Sequence, residues 1–226
     1  MKRTTIVCLL SCCCLLASVA TPAQNTAFRP EWSAGVSAGV NYANTVFSPK
    51  VQQSMYTGYT GGLTVRWITE KNLGIQIEIN CKQQGWQERF DDDGNDYSAL
   101  YYRRRMNYVD IPFLTHVRFG GERVNFFVNL GPQIGFLLNE KTASNLDGLE
   151  PQRINAQHDM PATKSFEWGI GGGPGLELRT GIGCFLLEGR YYYALSDFYS
   201  TRRSDVFGKA SAQVLTLRVA YLVRLR

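Results

Sequence analysis

The most regular feature of this sequence is a two-residue alternation of apolar and polar side chains that recurs eight times. In the clearest segment, residues 73–84, isoleucines at positions 75, 77 and 79 alternate with Gln76, Glu78 and Asn80. Successive side chains of a β-strand point to opposite faces, and a helix cannot use such a pattern. The other seven segments are residues 33–42, 57–68, 106–119, 123–137, 165–179, 183–193 and 212–225. The pattern predicts eight strands and an all-β fold.

The links between the predicted strands alternate strictly between short and long. The short links, residues 69–72, 120–122 and 180–182, have the length and composition of hairpin turns. The long links are residues 43–56, 85–105, 138–164 and 194–211. Outer-membrane barrels have this asymmetry, with short periplasmic turns at one end and long extracellular loops at the other. We therefore predict an eight-stranded antiparallel up-and-down transmembrane β-barrel.

The first residues have the order of a secretory signal peptide. Lys2 and Arg3 precede an apolar run at residues 6–20 and a small-residue stretch that ends at Ala23. The apolar run is too short to be a membrane-spanning helix. We expect a cleaved signal peptide at 1–23, a lead-in at 24–32 and the barrel domain at 33–226. An alternative is lipoprotein cleavage before Cys12, although an apolar stretch follows that cysteine instead of a polar tether.

Two locations are compatible with a barrel, depending on which face points outward. A soluble, lipocalin-like periplasmic barrel would turn its apolar face inward. Here the polar face carries many glycines and charges of both signs, which suits a narrow lumen, and aromatic residues concentrate near the predicted strand ends. The strands also approach the roughly 9–11 residues that a tilted membrane span needs. The sequence therefore favours the outer membrane of a Gram-negative bacterium.

Charged side chains on the polar face form the main candidate site. An eight-stranded barrel is just wide enough to be filled by side chains, and buried charges need partners. We therefore prefer a structural plug over a substrate or ion pathway. The predicted lumen charge network consists of Arg66, Glu78, Lys82, Asp110, His116, Arg118, Glu167, Glu177, Arg179, Glu188, Arg190, Arg218 and Arg224.

No catalytic, cofactor or metal motif is recognisable. The acidic run at residues 91–96 fails the EF-hand pattern, because placing Gly94 sixth puts Arg89 first and Leu100 twelfth. His116 and His158 lack a recognisable nucleophile–base arrangement. We predict a protein without enzymatic activity and without a cofactor, and the alternative is an outer-membrane enzyme that modifies lipid.

The charge distribution narrows the choice of partners. Removing the signal peptide lowers the formal net charge from +5 to +3, and the basic residues are interspersed with acidic ones, which argues against nucleic-acid binding. The expected partners are outer-membrane lipid and lipopolysaccharide. Three consecutive arginines at residues 103–105 fit either contact with lipopolysaccharide at the barrel rim or pairing with the acidic run.

Three segments carry a family resemblance. They are residues 107–112 (NYVDIP), residues 130–138 (LGPQIGFLL), and residues 189–191 (GRY) followed by 195–197 (LSD). In order and spacing the chain resembles the PorT family of outer-membrane barrels over most of its length after the signal peptide. The resemblance implies an outer-membrane barrel and a link to type IX protein secretion, although many members share only the barrel domain. The leading hypothesis is a non-enzymatic barrel whose long extracellular loops contact a surface or secretion partner.

Overall fold

The computed structural model describes residues 29–88, 90, 100–146, 158, 160–200 and 207–225. The predicted signal peptide and the acidic run at 91–96 lie outside these residues, so both stay predictions. Within the described ranges, no helix is long and apolar enough to span a membrane.

Eight long antiparallel strands form one closed barrel, which confirms the predicted fold. Each strand pairs with its neighbour along the chain, and the first pairs with the last to close the sheet. A two-residue strand, β2, lies beside the end of β4. The strands are β1 Glu31–Ser48, β2 Gln53–Ser54, β3 Tyr56–Ile68, β4 Leu73–Glu88, β5 Tyr102–Gly120, β6 Val124–Ser144, β7 Phe166–Arg179, β8 Cys184–Ala194 and β9 Lys209–Leu225.

The apolar face of the barrel points outward and the polar face is buried. Val36, Leu63, Ile77, Leu130 and Leu217 are each 41–60% exposed, whereas the charged residues between such positions are mostly buried. A closed sheet pairs the backbone of every strand, so this outer surface can face lipid. The soluble alternative required an inward apolar face and is therefore wrong.

The strands run further toward the long-loop end than predicted. β1 continues to Ser48 and β4 to Glu88, β5 begins at Tyr102, and β6 continues to Ser144. The sequence pattern predicts long links for these stretches, because their polarity no longer follows the alternation of a membrane strand. Their inward positions carry aromatic residues such as Phe47 and Trp86, while outward positions become polar. The barrel thus extends beyond its lipid-facing band.

Neighbouring glycines on β3 differ in how tightly the strands enclose them. A Cβ on Gly62 would lie 2.1 Å from the Ile79 carbonyl oxygen of β4. A Cβ on Gly61 would come no closer than 3.4 Å, to the Ser37 carbonyl oxygen. Of these two neighbours, Gly62 is therefore the one that the close approach of β3 and β4 requires.

Candidate functional site

The turn end of the interior is stabilised by a chain of ion pairs. Arg66 Nη1 lies 2.7 Å from Glu177 Oε2, and Arg179 Nε lies 2.9 Å from Glu177 Oε1. Arg179 also reaches Glu31, 2.8 Å away at Oε1. These side chains come from β1, β3 and β7, so the chain of pairs crosses the lumen. Arg118 donates instead to the Lys71 carbonyl oxygen in a tight turn.

The middle of the interior is organised around one carboxylate. Glu78 accepts hydrogen bonds from both Nη atoms of Arg190 at 2.9 Å and from Nη1 of Arg218 at 2.5 Å. Arg190 also donates to Glu188, whose Oε1 accepts the Asn129 amide at 2.9 Å. All four charged residues are at most 5% exposed. Two guanidinium groups and two carboxylates therefore neutralise each other inside the barrel.

A looser group lies nearer the long-loop end. Lys82 Nζ is 3.6 Å from Asp110 Oδ1 and 3.7 Å from Glu167 Oε1, distances too long for hydrogen bonds. Lys82 also lies 4.4 Å from the centre of the Tyr192 ring. A cavity of about 20 Å³ adjoins Lys82 and Asp110 and has room for about one water molecule. The cavity is too small for a substrate.

The long-loop end is closed by aromatic side chains, which we call the aromatic cap: Phe47, Trp86, Phe198, Tyr199 and Phe207. All five are at most 6% exposed, and ring centres in contact are 4.7–6.4 Å apart. Aromatic pairs at such distances stabilise beyond the area they bury.

All four long links contribute to the packing around this cap. Val51 comes from the first, Phe90 from the second and Met160 from the third, and the fourth supplies Phe198, Tyr199 and Phe207. The links therefore converge over the mouth of the barrel.

Polar contacts attach the cap to the strands. Arg104 is buried, pairs with Glu140 at 2.9 Å and donates to the Tyr199 hydroxyl at 3.0 Å. Burial raises the pKa of Tyr199 far above its usual range, so its hydroxyl keeps its proton and donates to the Met160 carbonyl oxygen. Nearby, His158 lies 2.8 Å from Glu88 and stacks on Tyr102.

The structure places most of the predicted network residues inside the barrel. Eleven of the thirteen are buried, and Arg179 is half-buried near the turn end. Arg224 is a correction: it is exposed and donates to the Thr180 carbonyl oxygen, because its strand has already left the lumen at that point. Glu31 is absent from the predicted network, because the sequence pattern places it in the lead-in. Arg104, Glu140 and the aromatic cap were missed because they lie in segments assigned to loops.

The remaining candidate groups are far from reactive arrangements. His116 is fully buried, with Nδ1 2.8 Å from Asn129 Oδ1 and its ring against Phe127. Cys81 is exposed toward lipid and Cys184 is buried, so the two thiols stay free. Within the described residues, no group of His, Cys, Asp and Glu could hold a metal ion.

One family model matches most of this chain. Residues 23–200 match the family model described as an outer membrane protein beta-barrel domain. Among solved structures, the chain is similar to Ail, the attachment invasion locus protein of Yersinia pestis, at 14% identity and a TM-score of 0.42, covering 85% of this chain and 99% of Ail.

Two further solved structures are similar at comparable levels. Neisserial surface protein A is 11% identical with a TM-score of 0.42, covering 83% of this chain and 96% of its own. The outer membrane enzyme PagL is 13% identical with a TM-score of 0.46, covering 82% and 97%. No curated protein matches this chain. The family match places the protein in the outer membrane, and the chain belongs to the outer membrane protein beta-barrel domain family.

Proposed function

We propose that this protein is a non-enzymatic, non-conducting barrel that presents its long-loop end to a surface or secretion partner. The aromatic cap is the observation that carries the proposal. Its five rings close the mouth of the barrel, and all four long links pack around them. A pore needs an open mouth, whereas a binding platform needs loops held in a fixed arrangement.

The interior supports a structural role. Its charges pair across the lumen, and the cavity beside Lys82 has a volume of about 20 Å³. Among the described residues, the histidine rings bond to the Asn129 amide (His116) and the Glu88 carboxylate (His158), and not to a serine, threonine or cysteine side chain. A lipid-modifying enzyme would need a base and a nucleophile within reach of the lipid.

The long-loop end also exposes apolar side chains beyond the strands. Met55 is 66% exposed and Tyr101 is 38% exposed. Apolar side chains at a rim of otherwise polar residues suit contact with a protein. The partner is therefore expected at this end of the barrel.

The proposed link to type IX secretion rests on the resemblance to the PorT family. The resembling segment 195–197 holds the fourth long link in place. Ser196 Oγ accepts the Trp168 amide at 2.9 Å, and Asp197 Oδ1 accepts the Ala210 amide at 2.8 Å. The residues of the resemblance thus help to shape the loop end that would meet the partner.

Deleting the gene and measuring export of type IX cargo tests the secretion link. We expect export to fall and to be restored by the wild-type chain. Met55→Asp should restore it poorly, because a charge would replace an exposed apolar contact. Ile182→Asp is the matched control, since Ile182 is 72% exposed in a turn at the opposite end. Unchanged export in the deletion strain would reject the link.

A further inference from the structure

Three basic side chains lie together on the outer surface near the long-loop end. Arg103 and Arg105 lie on β5, and Lys141 lies directly opposite Arg105 on β6. The alternation of the strand points Arg103 and Arg105 outward, while Arg104 between them is buried. The arginine run is therefore divided: one guanidinium stabilises the cap, and two face the surroundings.

These three charges differ from those of the interior in their partners. Within the described residues, none of the three forms an ion pair with a carboxylate. Arg103 donates to the neutral Gln87 Oε1 at 2.8 and 3.1 Å. Among the described residues, Arg105 Nε is buried and has no hydrogen-bond partner. Like charges directly opposite on a sheet repel each other, so an anion bound here would relieve an existing cost.

The cluster lies just beyond the lipid-facing band. Val109, Ile111 and Phe113 form the outward apolar positions of β5, and the outward Asn107 bonds to Asn139 at 2.5 Å. Arg105 lies four residues from Val109 toward the long-loop end, which is about 13 Å along the strand at ~3.3 Å per residue. Long loops mark the extracellular end of an outer-membrane barrel, so this level is that of the outer-leaflet head groups.

We propose that Arg103, Arg105 and Lys141 bind the phosphate groups of a phosphorylated glycolipid of the outer leaflet, the lipid A part of lipopolysaccharide. Arginine suits this role because its planar fork can donate two hydrogen bonds to one phosphate. The acyl chains would lie against the apolar band below. The proposal does not depend on the secretion partner.

Native mass spectrometry of the full barrel in detergent, titrated with bisphosphorylated lipid A, tests this site. We expect wild type to bind this lipid more tightly than lipid A whose phosphates have been removed. R103Q/R105Q/K141Q should weaken binding at least about tenfold, because each basic residue near an anionic lipid surface contributes to affinity. The matched control is R29Q/K71Q/R123Q, which removes three exposed cations at the turn end and should bind like wild type.

Each variant is first checked for the heat-dependent gel shift of a folded barrel. Two results would overturn the proposal: equal binding by wild type and R103Q/R105Q/K141Q, or no preference of wild type for the phosphorylated lipid. A lack of preference for the phosphorylated lipid is the outcome expected if the acidic run at 91–96 neutralises the cluster. Inorganic phosphate as competitor separates a lipid site from a free anion site. Little displacement supports the lipid, and full displacement at millimolar phosphate rejects it.

Discussion

At the scale of single residues, the interior depends on carboxylates shared between guanidinium groups. Glu78 contacts both Arg190 and Arg218, and Glu177 contacts both Arg66 and Arg179. Replacing Glu78 leaves two buried cations short of a partner. Removing one member of a buried pair costs more than the pair itself contributes, because the remaining charge stays in a low-dielectric site.

Glu78→Gln is therefore expected to destabilise the barrel by about 3–5 kcal/mol. The amide keeps the size of the side chain and loses its charge. Unfolding by guanidinium in lipid vesicles, followed by tryptophan fluorescence, measures the change. Glu122→Gln, at an exposed turn residue, is the control and should stay within about 0.5 kcal/mol of wild type. Equal stability of the two variants would contradict the shared-carboxylate account.

Gly62→Ala should impair folding, whereas Gly61→Ala should be tolerated. The added methyl group would collide with the Ile79 carbonyl oxygen at position 62 but meets only an ordinary contact at position 61. The measurement is the fraction of chain that acquires the heat-dependent gel shift during refolding into detergent. Similar folded fractions for both variants would show that β3 and β4 can separate locally.

The period-two alternation predicted which side of the sheet a charge occupies, but not how far along the barrel it lies. Arg218 and Arg224 share the same side of β9, yet Arg218 is 4% exposed and Arg224 lies outside the lumen. Glu31 was missed for the same reason, because it stands at the first position of β1. Depth depends on strand tilt and stagger, which a single strand's pattern does not contain.

At the scale of the strands, the sequence signal changes where the chain leaves the membrane. Within the lipid-facing band, apolar residues point outward and polar residues inward. Beyond it, Phe47 and Trp86 point inward, while Gln87 and Lys141 lie on the outer side. Side chains still point alternately inward and outward, but now the apolar ones point inward and the polar ones outward. A pattern of inward polar residues therefore predicts β1, β4, β5 and β6 shorter than they are.

Trp86→Ala should loosen the long-loop end without opening the whole barrel. Its ring packs edge-on against Phe47 at 5.1 Å and stacks on Phe198 at 5.7 Å. Truncating a buried tryptophan costs about 3–5 kcal/mol of stability, and here the lost contacts lie mainly within the aromatic cap. Amide hydrogen exchange should become faster in the fourth long link and at the long-loop ends of β4 and β5.

Trp67→Ala is the matched control, because Trp67 is 37% exposed at the turn end and stacks on Trp32. It should leave exchange at the long-loop end unchanged. Uniformly faster exchange along all strands in Trp86→Ala would contradict a locally stabilised cap.

At the scale of the whole molecule, strand count, antiparallel order and the asymmetry of the links could be predicted, because each follows from local patterns. The packing of the links could not, since the cap forms only where residues far apart in sequence meet. Phe47 lies near the start of the barrel sequence and Phe207 near its end, yet their ring centres are 5.2 Å apart. Closure of the mouth is a property of the assembled barrel.

The central claim is that the lumen is closed by paired charges and by the aromatic cap. Conductance of the purified barrel in a planar lipid bilayer tests it most directly. We expect insertion to leave the current at the level of the lipid alone, because neither the ion-paired interior nor the capped mouth offers a water-filled path. A steady, voltage-proportional conductance with each insertion of the wild-type protein would contradict it.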